Sequence, residues 1–142
     1  MADEIRTGLF PVSYEIGTGA PGAPLFTVHF FVNTPHKTVT GMGRITQTTN
    51  PPLDLSTKLE GRYDTVLIEG EPYQVVAATG YPVIVGSPLA VPGPAFEPNV
   101  YLHMKLSGDW QSGTATYIYI DEGNPHAITD VPAKLVPSFQ PA

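Results

Sequence analysis

The sequence predicts an all-β domain, and three observations support this fold class. Apolar and polar residues alternate in short runs, which is the spacing of half-buried strands. Clusters of Gly, Pro, Asn and Asp separate the runs, and such clusters are typical of turns. No stretch free of Pro and Gly repeats its apolar residues at helical spacing. A strand-rich, helix-poor chain is therefore expected.

Alternating runs predict about eight strands in chain order. In the first run Phe10, Val12, Tyr14 and Ile16 share one face, and the later runs repeat this arrangement. The fourth run is long, and a bulge is expected near Tyr63–Asp64. The predicted strands are residues 8–16, 25–33, 37–47, 56–69, 73–81, 99–106, 114–121 and 127–136.

The short connections favour a closed antiparallel barrel, and a two-layer β-sandwich is the alternative. Gly41 and Gly43 fall on the inner face of the third run, where they would permit tight curvature. One connection is long: residues 82–99 form a Pro-rich apolar loop with prolines at 82, 88, 92, 94 and 98. Prolines lack the backbone donor that a central strand needs, so this segment is expected to be a loop.

Length predicts a single β domain over residues 1–142, with an N-terminal arm at 1–7 and a C-terminal tail at 137–142. The first residues are acidic rather than basic, so no secretory signal is expected. No apolar stretch approaches the roughly 20 residues of a membrane span. A cytoplasmic location is the default expectation, with export by another route left open.

The charge balance argues against nucleic acid as a partner. Lys and Arg number only 7, they are scattered, and the net charge is −6, whereas phosphate binding needs a clustered basic face. Charged residues make up only 14% of the chain. A weakly charged surface resists association poorly, which favours self-association, although a composition drift without consequence explains it equally well.

Catalytic and metal-binding patterns are absent from the sequence. There is no cysteine, nucleophile elbow, phosphate loop or dinucleotide fingerprint. His29 and His103 could share a metal only if their strands were neighbours, and two solvated side chains are the simpler interpretation. Asp121, Glu122 and Asn124 fit a hairpin turn better than a calcium loop. The sequence predicts no enzyme activity, no cofactor and no metal.

Apolar residues outside the expected core point to an interface. Phe31, Met42, Tyr117 and Tyr119 are placed on outer faces, where they would either form an exposed patch or be covered by the Pro-rich loop. Trp110 would either offer an aromatic platform or plug the core. The candidate interface residues are Phe31, Met42, Val83, Ile84, Leu89, Val91, Phe96, Trp110, Tyr117 and Tyr119.

Four stretches carry a resemblance to a known family. They read "GLFPVSYEIGTG", "VNTPHKTVTGMGRITQTTNPPLDL", "GYPVI" and "DWQSGTATYIY". Over roughly residues 8 to 136 the chain resembles the bacterial family called domain of unknown function eighteen forty-two. The resemblance implies a small bacterial β-domain and assigns no activity, cofactor or catalytic residue.

Two functions follow as expectations. The first is a non-enzymatic structural or interaction protein that self-associates into a homo-oligomer or larger assembly through the apolar loop and strand faces. The alternative is a barrel that binds a small ligand or carbohydrate, with the 82–99 loop as its lid. Polar inward residues near the loop would favour the second function, and outward apolar residues would favour the first.

Overall fold

The chain closes into an eight-stranded antiparallel barrel, which confirms the barrel and excludes the sandwich. A computed structural model describes residues 8–49, 51–83 and 97–137. Neighbouring strands are consecutive in the chain, and β8 returns to pair with β1. The strands are β1 (Leu9–Ile16), β2 (Leu25–Asn33), β3 (Thr38–Gln47), β4 (Leu53–Ile68), β5 (Glu71–Pro82), β6 (Val100–Ser107), β7 (Ser112–Asp121) and β8 (Asn124–Val136).

Two tight turns explain why some strands are longer than predicted. Glu69–Gly70 and Glu122–Gly123 each join two strands with two residues, and all four have positive φ, at 53°, 82°, 50° and 81°. Such values are typical of type I′ turns, whose twist matches that of the flanking strands. Strands β5 and β8 therefore begin at Glu71 and Asn124, two and three residues earlier than predicted.

The barrel interior is packed with side chains from the inward face of every strand. Fully buried residues include Tyr14, Phe26, Phe30, Ile45, Leu59 and Leu102. Gly41 and Gly43 face inward as predicted. A Cβ on Gly41 would overlap the carbonyl oxygen of His29, and one on Gly43 would lie 2.6 Å from the ring of Phe26. Glycine at these positions is what lets β2 and β3 approach each other closely.

The bulge predicted near Tyr63–Asp64 is wrong. The register between β4 and β5 runs without interruption from Thr57 to Ile68. Tyr63 is buried inside the barrel and Asp64 is exposed outside it, as ordinary alternation requires. Strand β4 is long because it continues to pair with β5 as far as the tight turn at Glu69–Gly70, beyond the last residue that pairs with β3.

The one register shift recorded between the described strands lies between β7 and β8. Ala115 pairs with Val131, but Tyr117 pairs with Ile128, so β8 contains an extra residue at this point. Asp130 accommodates it with a φ of 51°. Its backbone N–H donates to the Thr116 hydroxyl at 3.0 Å. This bulge keeps apolar side chains directed inward on both sides of it.

Trp110 plugs one end of the barrel, so its prediction as an interface residue is wrong. It lies in the β6–β7 turn and is 3% exposed. Its ring packs edge-on against Phe10, with centroids 5.7 Å apart. The Tyr14 hydroxyl donates to the Trp110 carbonyl oxygen at 2.7 Å. The end holding the β2–β3, β4–β5 and β6–β7 turns is called the plugged end below, and the opposite end is called the mouth.

The mouth holds the β1–β2, β3–β4 and β7–β8 turns, and the chain leaves and re-enters the barrel there at Val83 and Glu97. The predicted N-terminal arm, most of the Pro-rich loop and nearly all of the C-terminal tail lie outside the described residues. In the part of the chain that is described, no helix has the length and apolar character to cross a membrane.

Candidate functional site

The ten predicted interface residues separate into exposed residues, residues outside the described ranges, and three that are buried in the core, Trp110, Tyr117 and Tyr119. Phe31 and Met42 lie on the outer face as predicted and are 54% and 44% exposed. Val83 ends the described part of its segment and is 37% exposed. The predictions for Ile84, Leu89, Val91 and Phe96 fall outside the described residues.

The prediction that Tyr117 and Tyr119 face outward is wrong. They are 0% and 5% exposed and point into the barrel, while their neighbour Ile118 faces outward. The reason is cross-strand register: Tyr117 pairs with Leu102 and Tyr119 pairs with Val100 on the inward stripe of β6. Directly paired residues share a face of the sheet, so both tyrosines follow β6 inward.

The outer surface of β1, β2 and β3 carries a cluster of residues without formal charge. Its apolar members are Leu9, Pro11, Phe31 and Met42, of which Leu9 is 66% exposed. It contains no Asp, Glu, Lys or Arg. We call it the β1–β3 face and define it by three cross-strand rows: Leu9, Asn33 and Thr38; Pro11, Phe31 and Thr40; Ser13, His29 and Met42.

Charged residues border the β1–β3 face on two sides. The next row toward the mouth holds Glu15 and Arg44, which flank Thr27. The neighbouring strand β4 presents Lys58, Glu60 and Arg62 opposite Met42, Thr40 and Thr38. The face is therefore an uncharged area within a charged boundary, which is the arrangement found at protein interfaces.

A hydrogen bond joins two polar members of the face. The Ser13 Oγ and His29 Nδ1 atoms are 2.7 Å apart across the β1–β2 pair. Ser13 is 2% exposed although it lies on the outer side. His29 is far from His103, because β2 and β6 lie on opposite sides of the barrel. The two histidines are thus not brought together to hold a shared metal.

A second candidate is a cavity of about 300 Å³ at the mouth. The turn after β3 and the β7–β8 hairpin form its walls. Asp121 ends β7 and Glu122 begins the two-residue turn to β8, so the hairpin turn favoured above over a calcium loop is observed. The lining residues with polar or aromatic side chains include Gln47, Asp54, Tyr119, Asp121, Glu122 and His126.

The mouth combines aromatic rings with negative charge. The rings of Tyr119 and His126 stack with centroids 5.0 Å apart and planes 18° from parallel. Burial, and then the charge of Asp121, raise the pKa of Tyr119. Arg44 donates to both carboxylate oxygens of Asp54, at 2.8 and 2.7 Å, and this pairing lowers the pKa of Asp54. No comparable cation pairs with Asp121 or Glu122 among the described residues.

Two tyrosine hydroxyls near the mouth lack hydrogen-bond partners among the described residues. The Tyr117 hydroxyl is completely buried and unpaired. Desolvation by burial raises the pKa of Tyr117 strongly. The neighbouring Tyr119, whose ring centroid is 6.3 Å away, is 5% exposed, and its hydroxyl, which makes no hydrogen bond to a described residue, is open to water at the mouth. Buried polar groups are nearly always hydrogen-bonded, so the Tyr117 hydroxyl is an exception, whereas the Tyr119 hydroxyl remains available to a molecule in the mouth.

A larger groove of about 630 Å³ lies outside β4 and β5, beside the β2–β3 turn. His36, Lys37, Arg62 and Asp64 contribute to its lining. Lys37 donates to Asp64 at 2.9 Å. This hydrogen bond raises the pKa of Lys37 and lowers that of Asp64. Since cation and anion pair with each other, the groove has mixed charge and selects no class of ligand.

Sequence reasoning missed His126 and Gln47 as members of the mouth. The last predicted strand begins at residue 127 and so leaves His126 in the preceding connection, but His126 is in β8 directly opposite Tyr119. The available signal was the Glu122–Gly123 pair: a two-residue hairpin centred there places residues 119 and 126 opposite each other. Gln47 lies two residues after the inward-facing Ile45 and is half-buried, and its amide donates to the Gly22 carbonyl at 3.0 Å.

Comparison with known families identifies the chain. Residues 7–125 match the family described as Domain of unknown function (DUF1842), which is most of the chain. Comparison with curated protein sequences finds none that matches. The match covers all of β1 to β7 and the mouth residues as far as Glu122. The protein belongs to the DUF1842 family.

Proposed function

We propose that the protein is a non-enzymatic interaction protein that associates with copies of itself through the β1–β3 face. The observation that carries this proposal is the exposure of Phe31 and Met42 on adjacent strands inside an area free of formal charge. Leaving such side chains in water costs roughly 1.5–3 kcal/mol for each one that could be fully buried. Contact with a second copy would recover part of that free energy.

The chemistry of the face favours a second copy over a charged partner. An isologous contact brings each surface patch against itself, so a charged patch would meet its own charge. The β1–β3 face avoids that repulsion because its ionic residues are confined to the border. At the border, Lys58 and Glu60 lie within the same strand and could pair with their counterparts in a two-fold contact.

The size of the face predicts weak association. Three strands about 4.8 Å apart, each contributing five residues at ~3.4 Å, give a footprint of roughly 14 Å by 17 Å. A stable interface of standard size buries about 800 Å² per partner. We therefore expect a dimer with a dissociation constant in the micromolar to millimolar range rather than an obligate oligomer.

Sedimentation velocity tests this proposal across concentrations from about 10 μM to about 1 mM, the range that such an affinity requires. The wild type is expected to shift from monomer to dimer as concentration rises. Phe31→Lys should remain monomeric, because it would place a cation against its own copy. The matched control is Tyr101→Lys on β6, which changes another exposed aromatic residue, 41% exposed against 54% for Phe31, on a different part of the barrel.

The control should associate like the wild type. A wild type that stays monomeric at the highest concentration would overturn the proposal. So would equal association by the Phe31→Lys and wild-type proteins. Equal weakening by both lysine variants would show a general effect of surface charge rather than contact through the β1–β3 face.

A further inference from the structure

We propose that the mouth of the barrel binds a small organic cation, specifically an aliphatic amine. This inference is independent of self-association, since the mouth and the β1–β3 face are separate surfaces. The cavity of about 300 Å³ is at the lower end of the range for ligand sites, which is roughly 300–1,000 Å³. The ligand is therefore small.

The charge of the cavity selects a cation. Asp54, Asp121 and Glu122 contribute to the lining, and no Lys or Arg does so among the described residues. Arg44 compensates Asp54 from outside, whereas no cation in the described ranges pairs with Asp121 or Glu122. A cleft lined by one sign of charge raises the local concentration of the opposite ion. An anion would be repelled here, and a neutral sugar would gain nothing from the net charge.

An independent observation also points to a ligand at this site. Tyr119 lines the cavity and is 5% exposed, and its hydroxyl is accessible from the cavity and makes no hydrogen bond to any described residue. A tyrosine hydroxyl can accept a hydrogen bond as well as donate one. An ammonium group has three donors and no acceptor, so it can donate both to this hydroxyl and to the nearby carboxylates.

The rest of the lining suits the hydrocarbon part of an amine. The stacked rings of Tyr119 and His126 form an aromatic wall, and Pro51, Pro52 and Leu53 supply apolar surface. An ammonium group near an aromatic face gains cation–π attraction, while its methylene chain is removed from water against the prolines. A bare metal ion would use neither feature. No group of three or more His, Asp or Glu residues in the described ranges is arranged to hold a metal.

The test titrates 1,4-diaminobutane into the ¹⁵N-labelled wild-type protein at low salt and follows the amide spectrum. Saturable shifts are expected at the amides of the lining residues Gln47, Thr49, Asp54, Tyr119, Asp121 and Glu122, and they should weaken as salt is added. The Asp121→Asn, Glu122→Gln double variant should bind roughly 5- to 25-fold more weakly, as loss of two partly exposed ion pairs predicts. Its own spectrum reports whether the barrel is intact.

The matched control is Glu60→Gln, which removes a carboxylate from the outer face of β4 and should leave affinity unchanged. Tyr119→Phe should weaken binding without altering its salt dependence. The proposal would be overturned by no saturation at millimolar diamine, by equal weakening in Glu60→Gln, or by shifts of the same size and position with glucose. Displacement of the diamine by stoichiometric calcium would instead identify a metal site and also reject the amine.

Discussion

The indole ring of Trp110 lies edge-on against the ring of Tyr63, with centroids 4.9 Å apart and planes at 76°. Tyr63 comes from β4 and Trp110 from the β6–β7 turn, so the contact crosses the plugged end of the barrel. Edge-to-face pairs contribute about 0.5–1.5 kcal/mol beyond the area they bury. Trp110 also has a φ of 67°, a conformation that a bulky residue adopts only when its surroundings impose it.

Replacing Trp110 with Ala should destabilise the barrel by about 3–5 kcal/mol, because it opens a cavity among aromatic side chains. Urea unfolding followed by circular dichroism measures the change. Tyr101→Ala, at an exposed aromatic position, should cost far less. A loss below about 1 kcal/mol for the Trp110 variant would show that the ring does not close the core.

Gly41→Ala should be more destabilising than Gly43→Ala, although the two residues share one face of β3. A Cβ at position 41 meets the backbone of His29 and Phe30, whereas at position 43 it meets the ring of Phe26 and a methyl group of Leu59. Side chains can shift, but a paired backbone cannot move without breaking its ladder. Overpacking typically costs about 1–3 kcal/mol, and position 41 should reach or exceed this range. Thermal unfolding of the two variants measures the loss of stability in each. A larger loss for Gly43→Ala than for Gly41→Ala would contradict the prediction.

Alkaline pH should destabilise the protein through Tyr117. Burial raises its pKa in the folded state, so above pH ~10 the unfolded chain releases a proton that the folded chain still holds. The free energy of unfolding must then fall as pH rises from that point. Tyr117→Phe should reduce this decline and add about 1 kcal/mol at neutral pH, because it removes an unpaired buried hydroxyl.

Chemical denaturation at pH 7 and pH 11 measures both effects, with Tyr101→Phe as the control for loss of a tyrosine. If Tyr117→Phe lowers stability at pH 7, the hydroxyl has a partner in solution, such as a bound water molecule.

A contribution of the apolar side chains of the Pro-rich segment to self-association remains a sequence-based prediction. Val91 and Phe96 are expected to strengthen self-association, because burying each one fully removes roughly 1.5–3 kcal/mol of unfavourable exposure to water. A Val91→Asp, Phe96→Asp double variant should therefore dissociate at concentrations where the wild type is dimeric. Unchanged sedimentation would assign the contact to the β1–β3 face alone.

Strand order and barrel closure could be predicted because most runs alternate unambiguously. Phe26, Val28, Phe30 and Val32 leave only one possible inward face for β2. The predicted strand at residues 114–121, which forms β7, is different. Tyr117 and Tyr119 on one face and Ile118 and Ile120 on the other are all apolar enough to face the core. Period-two alternation cannot decide between two apolar faces. Pairing with β6 decides it, and that information is not local to the run.

The mouth could not be predicted for a related reason. Its members come from β3, β4, β7 and β8, which are far apart in the sequence. Their convergence depends on barrel closure and on which end each turn occupies. The outer position of Phe31 could be predicted, since the opposite face of β2 is uniformly apolar. The position of Leu9 and Pro11 beside Phe31 could be established only from the register between β1 and β2.

The consecutive order of strands around the barrel has a consequence for the folding pathway. Seven of the eight strand pairs join neighbours in the chain, so hairpins can form one after another with little loss of loop entropy. The exception is the seam where Ser13–Ile16 of β1 meets Ala133–Val136 of β8. Because this pairing brings together the two most distant strands, we expect it to form last. Weakening the seam should then leave the folding rate nearly unchanged and accelerate unfolding.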